Sequence, residues 1–526
     1  AVEHGGIGAR GDGAPANRLA LVVSQDAGNF AALQMNFFMT YIHQIKVKFS
    51  EWLLNLIDAF FIHNSGQPSR ILNTIWMIVL YLLGILHWCI FLNWGDVPFD
   101  LHDWCQAGAY LSFLRNAYQT NMIPLQIDST LSPNRYLAIP HTLISPQSYL
   151  LRFLEPGLFI LANFLILFTV GYIGLILLRK RYSLAPAAFS VLVLLFNFNG
   201  HITAHYAVGH IEWTGYFFLP FFFLLLLKVI EGQPADWKWV LLISITFFLM
   251  SLQGSYHFVL WCFIFLLIWG LFSPKKHLIP AIKAILFSML LCLFRFLPPA
   301  IEFLGGGKTF ISGFPTVTDL FSGLIVLKYP SEALSWGKTV LGWWEVDTFI
   351  GVIGLFLIIY FGIYQTSRTG YPKNTLMMPI ALMTFLSIGQ TYSVINHLPI
   401  PLLDSERVSS RFIILPLVML ILLTSIHLQN YLNRLGKRNI VEKILFLALL
   451  ILLLHDLIQH SRFWSVKHMY DIFPSTPVNI NAMVTHIPDP VYFRALLIGA
   501  AGTMLTFISL IFLAFYKRHK INQTSH

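Results

Sequence analysis

Apolar runs alternate with short polar segments along most of the chain. Runs of about 17–25 residues, the length that crosses a hydrocarbon core, recur from Ile75 to Phe515. They fall at about 74–94, 157–178, 184–198, 213–228, 238–253, 256–272, 278–296, 348–365, 374–389, 412–428, 440–457 and 493–515. This pattern predicts an all-α integral membrane protein of about twelve transmembrane helices, with further helices in extracytoplasmic loops.

The stretch before the first run has a different rhythm. From Met35 to His63 apolar residues return every three to four positions: Phe38, Tyr41, Ile42, Ile45, Phe49, Leu53, Leu56, Ile57 and Phe60, with Lys46 and Lys48 among them. That spacing predicts an amphipathic helix over 35–73, lying on the cytoplasmic membrane surface. The alternative, a core helix, has no preceding span to pack on. Residues 1–34 are rich in Gly and Ala, with neither a span nor a signal pattern, and are expected to be a non-native or disordered extension. Residues 74–516 would form one polytopic module and 517–526 a cytoplasmic tail.

Composition agrees: 56% of residues are hydrophobic and only 11% are charged, which excludes a soluble globular chain. The net charge of +10 matters less than its placement. Alternate connections carry Arg179-Lys180-Arg181, Lys228 with Lys238, Lys275-Lys276, Arg368 with Lys373, Arg434-Lys437-Arg438 and Lys517-Arg518-Lys520. By the positive-inside rule these connections and both termini are cytoplasmic. Basic residues spread over short loops suit membrane orientation and do not indicate a nucleic-acid partner. Of the four cysteines, Cys89, Cys262 and Cys292 lie in apolar runs and Cys105 in a loop; no spacing suggests a disulfide framework or a zinc knuckle.

The opposite face then receives 93–147, 199–213, 253–257, 297–347, 391–411 and 459–490, which hold nearly every acidic, histidine and tryptophan cluster. In the first loop, Asp96, Asp100 and Asp103 stand among His102, Trp104 and Gln106. A helix starting near Pro98 would show Asp100, Asp103 and Gln106 on one face. A carboxylate cluster beside a bilayer is expensive without a use, although acids also suit a solvated helix N-terminus.

His201, His205, His210 and Glu212 crowd into 199–213, and one helical face could carry His201, His205 and Glu212. Such a set could hold zinc or manganese, but without a tight HExxH arrangement it reads better as hydrogen bonding to a sugar or phosphate. LGWWEVD at 341–347 places Trp343 and Trp344 beside Glu345 and Asp347. Those tryptophans fit either an interfacial belt or a carbohydrate grip, with ring faces stacking and acids taking hydroxyl hydrogens. LDSERVSSR at 403–411 puts Arg407 and Arg411 four apart with Glu406 alongside: a fork for phosphate, unless the arginines snorkel or pair with Asp404 and Glu406. Arg295 and His257, at span ends, could line the same cavity.

The chain has no Walker loop, GxGxxG or GxSxG, which argues against an ATP-driven pump. Glu155 and Glu442 lie near span ends, and the span centres nearly lack acids, unlike an ion-coupled transporter.

With these pieces placed, the chain resembles the C-type (GT-C) superfamily of polytopic membrane glycosyltransferases, and within it the YfhO-like membrane proteins. The resemblance rests on "DLHDW…Q" and "NMIPLQ" in the first loop, "NGHITAHYAVGHIEW", "GWWEVD" and "SERVSSRF". It lacks a clean DxD motif and the long soluble C-terminal domain of some members. It implies transfer of a sugar from a polyprenyl-phosphate-linked donor to a glycan, lipid or protein acceptor at the extracytoplasmic face. By position the essential carboxylate falls on Asp103, with Asp100 second. His201, His205, His210, Glu212, His257, Arg295, Trp343, Trp344, Glu345, Asp347, Glu406, Arg407 and Arg411 are the expected substrate-binding residues. No metal ligand set is assigned, and a divalent cation is the only cofactor candidate. A lipid-linked-glycan flippase and a non-catalytic assembly scaffold are the competing readings.

Overall fold

The computed structural model describes residues 15–62, 67–128, 135–303, 310–336, 339–369, 373–395, 406–435, 439–475 and 483–524. The chain divides into two compact units, one up to Ala59 and one from Phe60 onward. The first is carried by helix α1 (Pro15–Phe61). It begins well before Met35, so the expected extension is helical from Pro15; α1 ends at Phe61 and α2 begins at Gln67, both inside the expected 35–73 helix, and 63–66 lie outside the described residues. Phe38, Tyr41, Ile42, Ile45, Phe49 and Leu53 are all exposed on it.

The second unit is mainly helical, as backbone groups without access to water require. Its first half contains α2 (Gln67–Phe91), α3 (Trp104–Gln119), α4 (Pro156–Tyr182), α5 (Pro186–Asn197), α6 (Gly200–Ala207), α7 (Leu219–Ile230), α8 (Trp237–Leu252), α9 (Tyr256–Leu271), α10 (Ile279–Leu291) and α11 (Leu293–Phe303). The second half contains α12 (Val317–Ile325), α13 (Gly351–Leu357), α14 (Gln365–Thr369), α15 (Met377–Leu386), α16 (Gly389–Ile395), α17 (Ile414–Leu435), α18 (Ile440–Phe463), α19 (Val466–Ile472) and α20 (Pro490–Thr524). Among the described residues, two small antiparallel pairs occur in the loops. β1 (Ile127–Asp128) pairs with β4 (Met483–Val484), and β2 (Ala333–Trp336) with β3 (Thr339–Gly342).

This is an all-α integral membrane protein, but the spans are fewer and less uniform than the apolar pattern suggests. Among the described residues, seven helices are long and apolar enough to cross a bilayer, or eight if the bent pair Lys275–Leu291 and Leu293–Glu302 is one span. The expected spans at 238–253, 256–272 and 374–389 are the shorter apolar helices Trp237–Leu252, Tyr256–Leu271 and Met377–Leu386. Sixteen residues, as in α8 and α9, rise only about 24 Å, short of a core about 30 Å thick.

The core lies around α5–α6 and α17, whose apolar windows are wholly buried, whereas α2 and α20 turn most of theirs outward. In lipid the gain from such burial is close packing rather than removal from water. Two sets of contacts define the ends of the bundle. At one end Arg181 pairs with Glu231 at 2.5 Å, and the Ala185 N–H donates to Gln429 Oε1 at 2.7 Å. The first joins the end of α4 to the α7–α8 connection, and the second joins the α4–α5 connection to the C-terminal half of α17. At the other end the Gly200 N–H donates to the Phe349 carbonyl, the Ile144 N–H to Leu252, and the Ser312 N–H to Arg407. The polar loops between spans therefore meet at this second end.

Candidate functional site

The first loop leaves α2 through left-handed Asn93 and Trp94 and reaches α3 through left-handed His102 (φ 44°). Such backbone is costly for non-glycine residues and persists where surroundings enforce it. The loop is anchored on the α6–α7 connection: the Asp103 N–H donates to the Val208 carbonyl at 3.2 Å, and Trp104 Nε1 to the Ala207 carbonyl at 2.8 Å. Gly209 makes this approach possible. Its φ is +101°, and a Cβ there would stand 2.4 Å from the Trp104 nitrogen. The turn at Gly209 delivers the next residue, His210, onto Asp103.

His210 Nε2 lies 2.7 Å from Asp103 Oδ2, with His102 Nδ1 at 3.5 Å. Asp103 keeps 48% of its side chain exposed against 10% for His210. The two face a cavity of about 260 Å³ that Glu212, His257, Glu345, Arg407 and Arg411 also line. Five polar sequence segments far apart in the chain thus converge on one chamber. Burial by itself pushes the Asp103 carboxyl up. Hydrogen bonds and charge from His102 and His210 outweigh it and hold the group well below the usual carboxylate range. Burial likewise disfavours the His210 imidazolium, yet Asp103, Glu212 and Glu345 raise it above its ordinary value.

The two arginines are not an equal fork. Arg411 is committed to Glu345 by a bidentate contact, Nε to Oε2 at 2.8 Å and Nη2 to Oε1 at 2.7 Å, and stands over the Trp213 ring at 5.0 Å. Burial raises the Glu345 carboxyl, but Arg411 more than reverses this. Arg407 lines the cavity and is exposed; Asp404, its alternative partner, lies outside the described residues. The two are not on one turn of α-helix, because Arg407 precedes the 3-10 turn Ser409–Ile413 that carries Arg411.

Several expected site residues stand behind or away from the chamber. Asp100 is not on the face of α3: the helix starts only at Trp104, with Asp103 at its N-cap, and Asp100 instead accepts from the Ser475 hydroxyl. His201 and His205 are buried, and Glu212 does not share their helix because α6 ends at Ala207. His201 Nε2 accepts from Trp213 Nε1 at 2.9 Å, while His205 Nδ1 meets His210 Nδ1 at 2.8 Å. Glu406 is a fully buried brace. It accepts from Trp261 Nε1 at 2.9 Å, lies 3.0 Å from His257 Nδ1, and is held down to about 2 because His257 and Arg411 override burial.

Arg295 clamps backbone carbonyls of Ser251, Pro140 and Thr142. Trp343 is buried beneath Lys328, whose Nζ is 4.1 Å from its ring centre, and Trp344 packs on His102 and Phe473. Neither tryptophan lines the chamber. Asp347 is sealed against His460 and Trp464. Among the described residues, no group of three or more His, Cys, Asp and Glu side chains is arranged to hold a metal ion.

The chamber's other wall is Gln106, Tyr110, Tyr136, His141 and Tyr256, and of these the sequence pattern singled out only Gln106. Tyr110 was legible, since 103, 106 and 110 fall on one helical face. Tyr136 and His141 come from irregular backbone with no periodic signal. His141 Nε2 is buried without a hydrogen-bond partner. Comparison with known proteins finds no family model, no curated protein and no solved structure that matches this chain.

Proposed function

We propose that this protein is a membrane glycosyltransferase of the GT-C kind, moving a sugar from a polyprenyl-phosphate-linked donor to an acceptor hydroxyl at the extracytoplasmic face. The observation that carries the reading is the half-exposed Asp103 carboxylate, fixed by His210 in a polar chamber that Arg407 also lines. The extracytoplasmic assignment rests on the positive-inside reading of the basic connections.

In the reaction, Asp103 takes the proton of the acceptor hydroxyl as that oxygen attacks the anomeric carbon. The bond from that carbon to the phosphate oxygen breaks, and the lipid phosphate leaves with the electron pair. Arg407 stabilises the charge gathering there. Arg411, already neutralised by Glu345, shapes the wall instead of taking the phosphate. His210 keeps Asp103 ionised and aimed. Tyr256, the partly exposed aromatic of the wall, offers ring surface to the sugar, the part the sequence pattern gave to Trp343 and Trp344.

An enzyme is favoured over a flippase by what stands behind the chamber. Trp213, Phe258 and Trp261 are fully buried behind His210, His257 and Arg411, where a transporter would need a polar path. The test is Asp103→Asn in reconstituted vesicles supplied with a polyprenyl-phosphate sugar. Turnover should fall by about two or more powers of ten while donor binding persists. Parent-like transfer would remove Asp103 from the chemistry, and a parent protein that transfers no sugar would overturn the reading.

A further inference from the structure

The flank between α2 and α18 carries a groove of about 360 Å³. Leu86, His87 and Ile90 form its α2 wall, and Ile458, Ser461 and Arg462 its α18 wall. These residues recur at three- and four-residue spacing, so each helix turns one face to the groove. The two helices touch where Ser461 Oγ lies 3.1 Å from His87 Nε2, and the His87 ring stands edge-on to Phe198 at 4.3 Å. The outer side is open: Leu86 is 51% exposed and Ile90 56%. Both belong to the span Arg70–Phe91, so the medium that meets them is hydrocarbon.

The groove is apolar along the span and charged at one end. Arg462 stands in the last turn of α18, two residues after the His460 that pairs with Asp347, at the end where the polar loops gather. It is exposed, and among the described residues its guanidinium has neither an ion pair nor a hydrogen bond. No acid lines the groove. A phosphate at this depth would take two of the guanidinium N–H groups, and basic pockets between membrane helices recognise anionic head groups in this way. A second copy of the chain fits the groove less well. A two-fold pair in one bilayer would bring two copies of Arg462 together at the same depth.

We propose that this groove seats an anionic phospholipid of the bilayer, with an acyl chain along Leu86, Ile90 and Ile458 and the phosphate on Arg462. The lipid braces α18 against α2 beside the turn that also carries His460. The site is separate from the chamber of Asp103, and it stands whether or not that chamber transfers a sugar.

The experiment uses the full chain in detergent, titrated with phosphatidylglycerol or with phosphatidylcholine of the same chains. Retained lipid is counted by native mass spectrometry, and melting temperature is read in parallel. Phosphatidylglycerol should stay bound and raise the melting temperature, and phosphatidylcholine should do neither. Arg462→Gln removes the charge, and Leu86→Trp fills the groove. Both positions are exposed, so the lipid-free variants should melt like the parent. Each should weaken retention of phosphatidylglycerol about tenfold or more, and Arg462→Lys should restore part of it. Equal retention of the two lipids, or retention undiminished in either variant, overturns the proposal. Farnesyl phosphate held here in place of phosphatidylglycerol would give the groove to an isoprenoid, and a dimer dispersed by Leu86→Trp would give it to a second copy. Either result also overturns it.

Discussion

Two of the protein's aspartate–histidine pairs, nearly equal in length, are used in opposite ways. Asp103 and His210 meet at 2.7 Å, Asp347 and His460 at 3.0 Å. Asp347 and His460 have no exposed side-chain surface, and Asp347 also accepts from Trp464 Nε1 and the Phe349 N–H, both at 3.0 Å. Gly200 presses against it so closely that a Cβ would stand 1.8 Å from Oδ1. With its acceptor sites filled by donors from three directions, Asp347 locks the end of α18 to the start of α6. Asp103 leaves about half its side chain open to a chamber. Pairing therefore does not distinguish a working carboxylate from a brace; spare acceptor capacity facing free volume does.

The comparison can be broken first at the sealed pair. Asp347→Ala leaves the buried His460 and Trp464 donors without an acceptor and should cost about 3–5 kcal/mol, read as a large drop in melting temperature in detergent. A parent-like melt would mean that the pair is no brace. At the open pair, Gly209→Ala strains a left-handed backbone, worth about 1–3 kcal/mol, and pushes the turn off Trp104. His210 should lose its seat on Asp103, and turnover should drop roughly tenfold or more. Unchanged turnover would show that this turn does not set the pair.

His210→Gln sharpens the electrostatic half of the contrast. The Asp103 carboxyl is depressed, so its ionised form persists into acid and is lost only as pH falls through that lowered value. Without the His210 charge the acid limb of turnover should move to higher pH by roughly one to two units. A limb that stays in place would mean that His210 does not tune Asp103. The smallest effect is expected at the chamber's edge. Arg407→Lys keeps the charge but loses the guanidinium geometry, weakening lipid-phosphate binding by a factor of about three, and Arg407→Ala should weaken it more. Equal affinity in both would make Arg407 a snorkelling residue.

Much of this was legible in the sequence because membrane topology sorts residues by face before folding details matter. The polar clusters around Asp103, His210, Glu345 and Arg411 were separable from the basic connections, and they do meet. Periodicity failed where the backbone leaves the helix. Left-handed His102 delays α3 to Trp104, which removes Asp100 from its face, and Gly209 ends the run that seemed to join His205 to Glu212. The sequence also could not reveal which charges cancel internally: Arg411 with Glu345 looks no different from Arg407 until the loops are brought together. The span count shrank because α8, α9 and α15 are apolar but short, and because α18, over the expected span 440–457, is not among the candidate spans.

The most direct test of the central claim is to measure Asp103→Asn and Asp347→Asn side by side, each for sugar transfer and for thermal stability in the same vesicles. The account predicts a crossed result. Asp103→Asn should melt like the parent and lose about two or more powers of ten in turnover, while Asp347→Asn should melt far lower, its folded fraction retaining turnover. Parent-like turnover in Asp103→Asn, or a stability loss there equal to that of Asp347→Asn, would contradict it.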